Sequence, residues 1–141
     1  MTPDLWQRTL AINLEAPTFL AQAVARKGET DHRGHILNIV EWRAERTDPT
    51  RLVYTLSKSG LVSLTRNLAI ELAPQIQVNA IAPGAILPPP GQSESHLEQV
   101  AQQIPLKRPG SPSDITDAVH YLLKSDFITG EVIHVAGGQQ L

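Results

Sequence analysis

The chain has 141 residues and a formal net charge of -2, from 12 Lys and Arg against 14 Asp and Glu. This length suits one modest domain or part of one, and the near-neutral charge supplies no field that would attract nucleic acid or an anionic membrane. Cysteine is absent, which excludes disulfides and thiolate metal sites and fits a reducing compartment, so we expect a cytoplasmic protein. Hydrophobic residues make up 41% of the sequence without a run of about 18 apolar residues, so we expect a globular protein that does not span a membrane.

The first predicted element is a long helix over residues 3–27. Thr2 can cap its N-terminus, Pro3 fits the first helical position, and Asp4 favours the positive end of the helix dipole. Apolar residues then recur with helical spacing. Pro17 lacks the N–H for one hydrogen bond of the helix, which predicts a bend there.

Three short apolar segments predict strands over residues 35–40, 77–82 and 131–135. The continuous apolar character of the second segment is typical of a parallel strand that is covered on both faces. Helical segments alternate with these strands along the chain. This alternation predicts an α/β fold with right-handed parallel crossovers.

Further helices are indicated by apolar periodicity and by capping patterns. A helix over residues 52–73 carries leucines along one side. The spacing from Ser95 to Glu98 predicts a capping box that opens a short helix. A second cap, at Ser111, predicts another helix that ends at Lys124.

Tyr54 and Lys58 are candidates for proton transfer. They lie four residues apart near the start of a predicted helix, which places them on one face about one turn apart. Because an ammonium near a phenol favours the phenolate, we expect Lys58 to lower the pKa of Tyr54 from about 10 toward a range suited to acid–base catalysis on a carbonyl or imine. The alternative is a solvated pair on the helix surface.

The residues around this pair resemble the short-chain dehydrogenase/reductase family, and the resemblance covers essentially the whole chain. It rests on the following ordered segments: 12–14 (INL), 54–61 (YTLSKSGL), 64–73 (LTRNLAIELA), 78–84 (VNAIAPG), 129–133 (TGEVI) and 136–138 (AGG). The resemblance implies the C-terminal half of a Rossmann-like, doubly wound parallel sheet. It also implies hydride transfer between NADP or NAD and a carbonyl or pterin-like C=N bond, with a slight preference for NADP.

The resemblance assigns roles to individual residues. It makes Tyr54 the proton donor, and Lys58 the residue that holds the nicotinamide ribose and tunes Tyr54. It makes Asn13 the anchor of a water that leads toward Lys58, with a contact at the helix bend as the alternative. The residues that it places along the nicotinamide are Pro83, Gly84 and Ile86. For the first two of these, a turn that ends the strand is the alternative.

Glu41 departs from the family pattern, because most members carry a serine at this position, thirteen residues before the tyrosine. A carboxylate can copy the hydrogen bond of a hydroxyl donor only when it is protonated, but it can relay a proton to Tyr54. Pteridine reductases of the family carry an acidic residue here, usually Asp, and the run from Ala82 to Pro88 also resembles theirs. The alternative is a solvated loop carboxylate.

The family's glycine-rich phosphate-binding loop does not occur in the sequence. We therefore expect residues 1–141 to form a single incomplete NAD(P)-binding domain that lacks the N-terminal glycine-rich half, with severely reduced dinucleotide affinity. The resemblance implies a subunit interface through helices 3–27 and 52–73, so we expect a homo-oligomer that binds a small-molecule substrate. The alternative function is a truncated, non-catalytic family member that acts only in assembly.

No metal site is predicted. His32 and His35 flank a short loop segment without a third ligand at metal spacing, so we expect them to be surface residues. A charged loop is expected either to be solvated or to fringe the mouth of a substrate site. Its residues are Arg43, Glu45, Arg46 and Asp48.

Overall fold

The structure, a computed structural model, describes residues 1–26, 33–46, 48–89 and 91–141. Helices and strands alternate along most of the chain. In order they are α1 (Pro3–Leu10), a π-helical segment (Ala11–Glu15), α2 (Ala16–Ala25), β1 (Gly34–Ile39), a 3-10 turn (Pro49–Arg51), α3 (Leu52–Glu71), β2 (Ile76–Pro83), α4 (Glu94–Ala101), α5 (Pro112–Lys124) and β3 (Val132–Val135).

The strands form one parallel sheet in the order β1-β2-β3. The three predicted strands and the α/β class are therefore confirmed. The central strand, β2, is buried from residue 77 to residue 82, as its continuous apolar sequence predicts. Within the described residues β1 pairs with β2 alone, so its other edge carries unpaired backbone groups.

The main core lies between α3 and the sheet. Its buried members are Val40, Ala44, Leu61, Val62, Ala80, Ala82 and Val132. One polar bridge crosses this layer, because Asn38 Nδ2 donates to Thr65 Oγ1 at 2.9 Å and thereby joins β1 to α3. This packing holds the start of α3 close to the carboxyl ends of β1 and β2.

The predicted first helix is continuous but contains a wider turn. Thr2 caps it as predicted, because Leu5 N donates to Thr2 Oγ1 at 3.2 Å. The disturbance predicted from Pro17 takes the form of the π-helical segment, in which Ala16 N donates to the carbonyl of Ala11, five residues earlier. The described helix ends at Ala25, and most of the polar loop predicted after it lies outside the described residues.

One predicted cap is wrong and the other is confirmed. Helix α4 begins at Glu94 with Ser93 as its N-cap, so Ser95 lies inside the first turn, and the two serine hydroxyls lie 2.7 Å apart. Two serines in close succession offered two possible caps, and the sequence pattern indicated the wrong one. At α5 Ser111 is the N-cap as predicted, and a capping box forms there, with Ser111 N donating to Asp114 Oδ2 at 2.7 Å.

Candidate active site

The candidate site lies where β1 and β2 end and α3 begins. Beyond β1 the chain stays beside β2, because Val40 N donates to the Ile81 carbonyl at 2.9 Å and Trp42 N donates to the Pro83 carbonyl at 3.3 Å. This course brings Glu41 to the carboxyl edge of the sheet. In open α/β folds, ligands bind at this edge.

Tyr54 and Lys58 stand on the first turns of α3 at the same edge. Lys58 Nζ donates to the carbonyl of Ile39, the last residue of β1, at 2.8 Å. The same nitrogen lies 5.9 Å from the centroid of the Tyr54 ring. Both side chains are half-buried. The ammonium is thus fixed between the strand end and the ring.

The prediction that Lys58 lowers the pKa of Tyr54 is wrong. The pKa of Tyr54 is raised above 10.0, first by burial of the phenol and then by the negative charge of Glu41, while Arg51 acts weakly in the opposite direction. The pKa of Lys58 is lowered by burial, with Glu41 opposing that shift. Burial of the phenol is the larger cause, and the nearby carboxylate of Glu41 adds to it. Tyr54 is therefore held as the protonated phenol.

Glu41 is not a solvated loop carboxylate. Its side chain is only 13% exposed, and Oε1 accepts a hydrogen bond from Arg43 Nη1 at 3.3 Å. Its other oxygen, Oε2, is buried and has no hydrogen-bond partner among the described residues. The charge of Glu41 adds to the rise in the pKa of Tyr54 and opposes the burial that lowers the pKa of Lys58, so these three side chains form one electrostatically coupled cluster.

Asn13 contacts the site through a residue that the sequence did not single out. Asn13 Nδ2 donates to Ser57 Oγ at 3.1 Å, and Ser57 Oγ donates to the Tyr54 carbonyl at 2.7 Å. Ser57 is fully buried. The sequence contains only one signal for Ser57, which is a hydroxyl three residues after Tyr54 on the face of α3 that packs inward. Asn13 therefore bonds to the turn that carries Tyr54, and among the described residues no hydrogen bond joins it directly to Lys58.

Gly60 packs against the π-helical segment. A Cβ at Gly60 would lie 2.9 Å from Leu14 Cδ2, the end of a flexible side chain, so a larger residue would have to displace the Leu14 side chain. The contact lies between α3 and the segment that carries Asn13.

The predicted nicotinamide-lining residues lie at the end of β2, but two of them have packing roles of their own. Gly84 N donates to the Val135 carbonyl at 3.0 Å, and a Cβ at Gly84 would lie 2.7 Å from Ala136 Cα. Glycine at this position is thus explained by its approach to the end of β3, which supports the strand-ending alternative. Ile86 lines a cavity of about 180 Å³ beside β3. Tyr54, Lys58 and Glu41 are not among the residues that line this cavity.

The charged loop after β1 is an ordered network. Arg43 binds Glu41 and lies 3.9 Å from Asp48, and Glu45 accepts from Arg66 Nη2 at 2.7 Å. Arg46 donates to the Gln140 carbonyl. The guanidiniums of Arg43 and Arg46 lie 4.3 and 5.9 Å from the centre of the Trp42 ring. The prediction of a solvated loop is therefore wrong for Arg43 and Asp48, whose side chains are mostly covered.

The histidines form no metal site in the described part of the chain, where no group of three potential ligands occurs. His32 lies outside the described residues. His35 was expected at the surface but is half-buried in β1, opposite Gln77 of β2, and its buried Nδ1 has no hydrogen-bond partner within the described ranges. None of the described helices is both long and apolar enough to cross a bilayer.

Comparisons with known proteins agree with this architecture. The profile of the family described as Enoyl-(Acyl carrier protein) reductase matches residues 1–140. The chain is 37% identical over 143 residues to 3-oxoacyl-(acyl-carrier-protein) reductase FabG of Aquifex aeolicus, covering 94% of this chain and 56% of that protein. It is 32% identical over 136 residues to dihydromonapterin reductase of Klebsiella pneumoniae, covering 95% of this chain and 57% of that protein.

A solved structure resembles the fold closely. FolM alternative dihydrofolate reductase 1 from Brucella suis, crystallised in complex with NADP, superimposes with a TM-score of 0.94 at 37% identity, covering 99% of this chain and 57% of that one. The chain thus spans somewhat more than half the length of the relatives that it matches.

Proposed function

This chain belongs to the short-chain dehydrogenase/reductase family, and we propose that it carries the proton-donating part of a site that reduces a carbonyl or pterin-like C=N bond with a nicotinamide cofactor. The observation that carries the proposal is the cluster of Tyr54, Lys58 and Glu41 at the carboxyl edge of the sheet. The Tyr54 phenol is protonated at neutral pH, which is the form that a reductase needs in its acid.

The donor groups of this cluster fit a nicotinamide ribose and a reacting substrate atom. One of the three N–H donors of the Lys58 ammonium bonds to the Ile39 carbonyl, so two donors remain for ribose hydroxyls. Tyr54 has no hydrogen-bond partner for its hydroxyl among the described contacts, so it is available to donate. When bound, the nicotinamide supplies the hydride. We propose NADP rather than NAD, because the FolM structure contains NADP.

Glu41 favours a pterin-like substrate over a simple ketone. Its buried Oε2 has no donor among the described residues, and a buried acceptor without a partner costs about 1–3 kcal/mol. A pterin ring carries N–H groups that can donate to this carboxylate once the side chain turns toward a bound substrate, whereas a ketone offers no donor. The names of two relatives, dihydromonapterin reductase and alternative dihydrofolate reductase, agree with this choice.

We further propose that residues 1–141 supply one half of the cofactor site, and that the pyrophosphate is bound by sequence outside them. The glycine-rich loop is missing from the sequence. Lys58 and Tyr54 can orient only the nicotinamide end of the cofactor. The pyrophosphate needs the backbone N–H groups of a glycine-rich turn.

Replacing Tyr54 tests the proposed function. In the protein that contains this chain, Tyr54→Phe should lower kcat for NADPH-dependent reduction of a dihydropterin by about 10²-fold or more, because it removes the acid. Tyr121→Phe is the matched control, since that phenol is 57% exposed on α5. A Tyr54→Phe enzyme with native turnover would refute the assignment.

Exposed apolar side chains on α1, α2 and α3 favour a second role, the assembly of a homo-oligomer, in addition to the catalytic one. The chain exposes 9076 Å², compared with about 7,200 Å² for a compact monomer of 15.4 kDa. Part of the excess is apolar side chains along α1, the π-helical segment, α2 and α3: Leu5, Ile12, Phe19, Leu20, Val24, Leu52 and Leu56. We propose that a second copy covers this face and forms a homo-oligomer.

A further inference from the structure

Arg43 connects the candidate site to the start of α3. Its Nη1 donates to Glu41 Oε1 at 3.3 Å, and its Nε lies 3.9 Å from Asp48 Oδ2. Its Cζ lies 4.3 Å from the centroid of the Trp42 ring. Two carboxylates and one aromatic face therefore hold this guanidinium, and the side chain is only 34% exposed.

The outer carboxylate of this arrangement is itself fixed. Asp48 Oδ1 accepts from Thr50 N at 3.0 Å and from Thr50 Oγ1 at 2.6 Å. The hydrogen bonds from Thr50 lower the pKa of Asp48, so it stays ionised beside Arg43. Because Asp48 caps the turn that leads into α3, Arg43 is anchored to the same helix that carries Tyr54.

The inner carboxylate is engaged on one side only. Arg43 binds Oε1 of Glu41, whereas Oε2 is buried and has no hydrogen-bond partner in the described chain. We propose that Arg43 is a positioning residue: clamped by Trp42 and Asp48, it binds one oxygen of Glu41 and thereby fixes where this carboxylate lies relative to Tyr54. This inference rests on the proposed reductase function, in which Tyr54 is the acid and Glu41 acts beside it.

The geometry requires arginine rather than any cation. A guanidinium is flat and can lie on the Trp42 ring while its nitrogens reach two carboxylates, whereas a lysine ammonium is a compact point charge on a flexible stem. If Arg43 only screened the charge of Glu41, lysine would serve as well. If Arg43 positions Glu41, lysine fails although the charge is kept.

Titration of Tyr54 measures the position of Glu41 without any activity. The charged groups that shift the pKa of this phenol are Glu41 and Arg51, and the Lys58 ammonium lies 5.9 Å from the centroid of its ring. The chain has two tyrosines, so fluorotyrosine in a Tyr121→Phe background gives one fluorine NMR signal. Fluorination also lowers the phenol pKa, which brings the titration below the range of alkaline unfolding.

The proposal predicts a specific pattern in this titration. Arg43→Lys should move the Tyr54 midpoint by about 0.5 pH unit or more, and the same change made in a Glu41→Gln background should move it by less than about 0.2. Arg46→Lys is the matched control, because Arg46 also faces Trp42 but bonds to Gln140 instead of Glu41. An unmoved midpoint in Arg43→Lys, or a shift that persists with Glu41→Gln, would overturn the proposal.

Kinetics provide a second and separable measurement. With NADPH and a dihydropterin, Arg43→Lys should lower kcat/KM about 10-fold, and adding it to Glu41→Gln should cause no further loss. An additive loss would mean that Arg43 acts independently of Glu41 and would also overturn the proposal. If the unmodified protein had no reductase activity, the proposed function would be refuted. The titration pattern would still decide whether Arg43 positions Glu41.

Discussion

Ser57 offers a sharp test of how the candidate site is held together. Its hydroxyl is fully buried and makes two hydrogen bonds, accepting from Asn13 Nδ2 at 3.1 Å and donating to the Tyr54 carbonyl at 2.7 Å. Ser57→Ala removes both and leaves the Asn13 amide without this acceptor. Each bond contributes about 1 kcal/mol, and leaving the half-buried Asn13 amide without an acceptor adds part of the roughly 1–3 kcal/mol that a buried donor would cost.

The expected destabilisation by Ser57→Ala is therefore about 2–3 kcal/mol. For a domain of this size each kcal/mol lowers Tm by roughly 3 °C, so the midpoint should fall by about 6–9 °C. Urea denaturation at one fixed protein concentration measures the free energy of unfolding, and calorimetry measures the midpoint. The matched control is Ser63→Ala on the same helix, where the serine is exposed and the change should stay within about 0.5 kcal/mol.

A double-mutant cycle isolates the Asn13–Ser57 contact. Combining Asn13→Ala with Ser57→Ala should cost less than the sum of the two single changes, with a coupling energy of about 0.5 kcal/mol or more. If Ser57→Ala matched Ser63→Ala in stability, or if the two changes were additive, the link between the π-helical segment and the Tyr54 turn would not stabilise the fold. The reasoning about Asn13 would then be refuted.

Three further outcomes are expected. The hydrogen bonds from Ser111 hold the pKa of Asp114 below 3.8. The ionised Asp114 therefore stabilises the fold above that pH, and this stabilisation is lost as pH falls through the lower pKa of the folded state. Asp114→Asn should destabilise the chain at neutral pH, and its denaturation curve should converge with that of the unmodified chain in acid. Calorimetric titration of NADPH into the 141-residue chain should show no micromolar binding, and a micromolar Kd would contradict the proposal that the pyrophosphate is bound elsewhere. Light scattering should give a smaller mass for Leu20→Glu on α2 than for Leu87→Glu, which changes an equally exposed leucine outside the helices; equal masses would exclude the helix face as the contact.

Much of the fold follows from local sequence patterns. Apolar periodicity and turn residues predicted the three strands, and their alternation with helices predicted the parallel sheet, because crossover chirality leaves few other arrangements. The spacing of Tyr54 and Lys58 placed them on one helix face for a similarly local reason. Pro17 marked the irregular turn that carries Asn13, because a missing N–H disturbs the helix wherever it occurs.

Only the tertiary structure decided how the site residues affect one another. The pKa of Tyr54 rises because the folded chain buries the phenol and because the segment after β1 brings Glu41 near it, which reverses the direction expected from the neighbouring Lys58. The bond from Asn13 to Ser57 joins residues 44 positions apart, and the need for glycine at position 84 comes from the end of β3. Helical spacing depends on a few adjacent residues, whereas burial and Coulomb interactions depend on every segment that packs nearby, so the electrostatics of the site could not be deduced before the chain was folded.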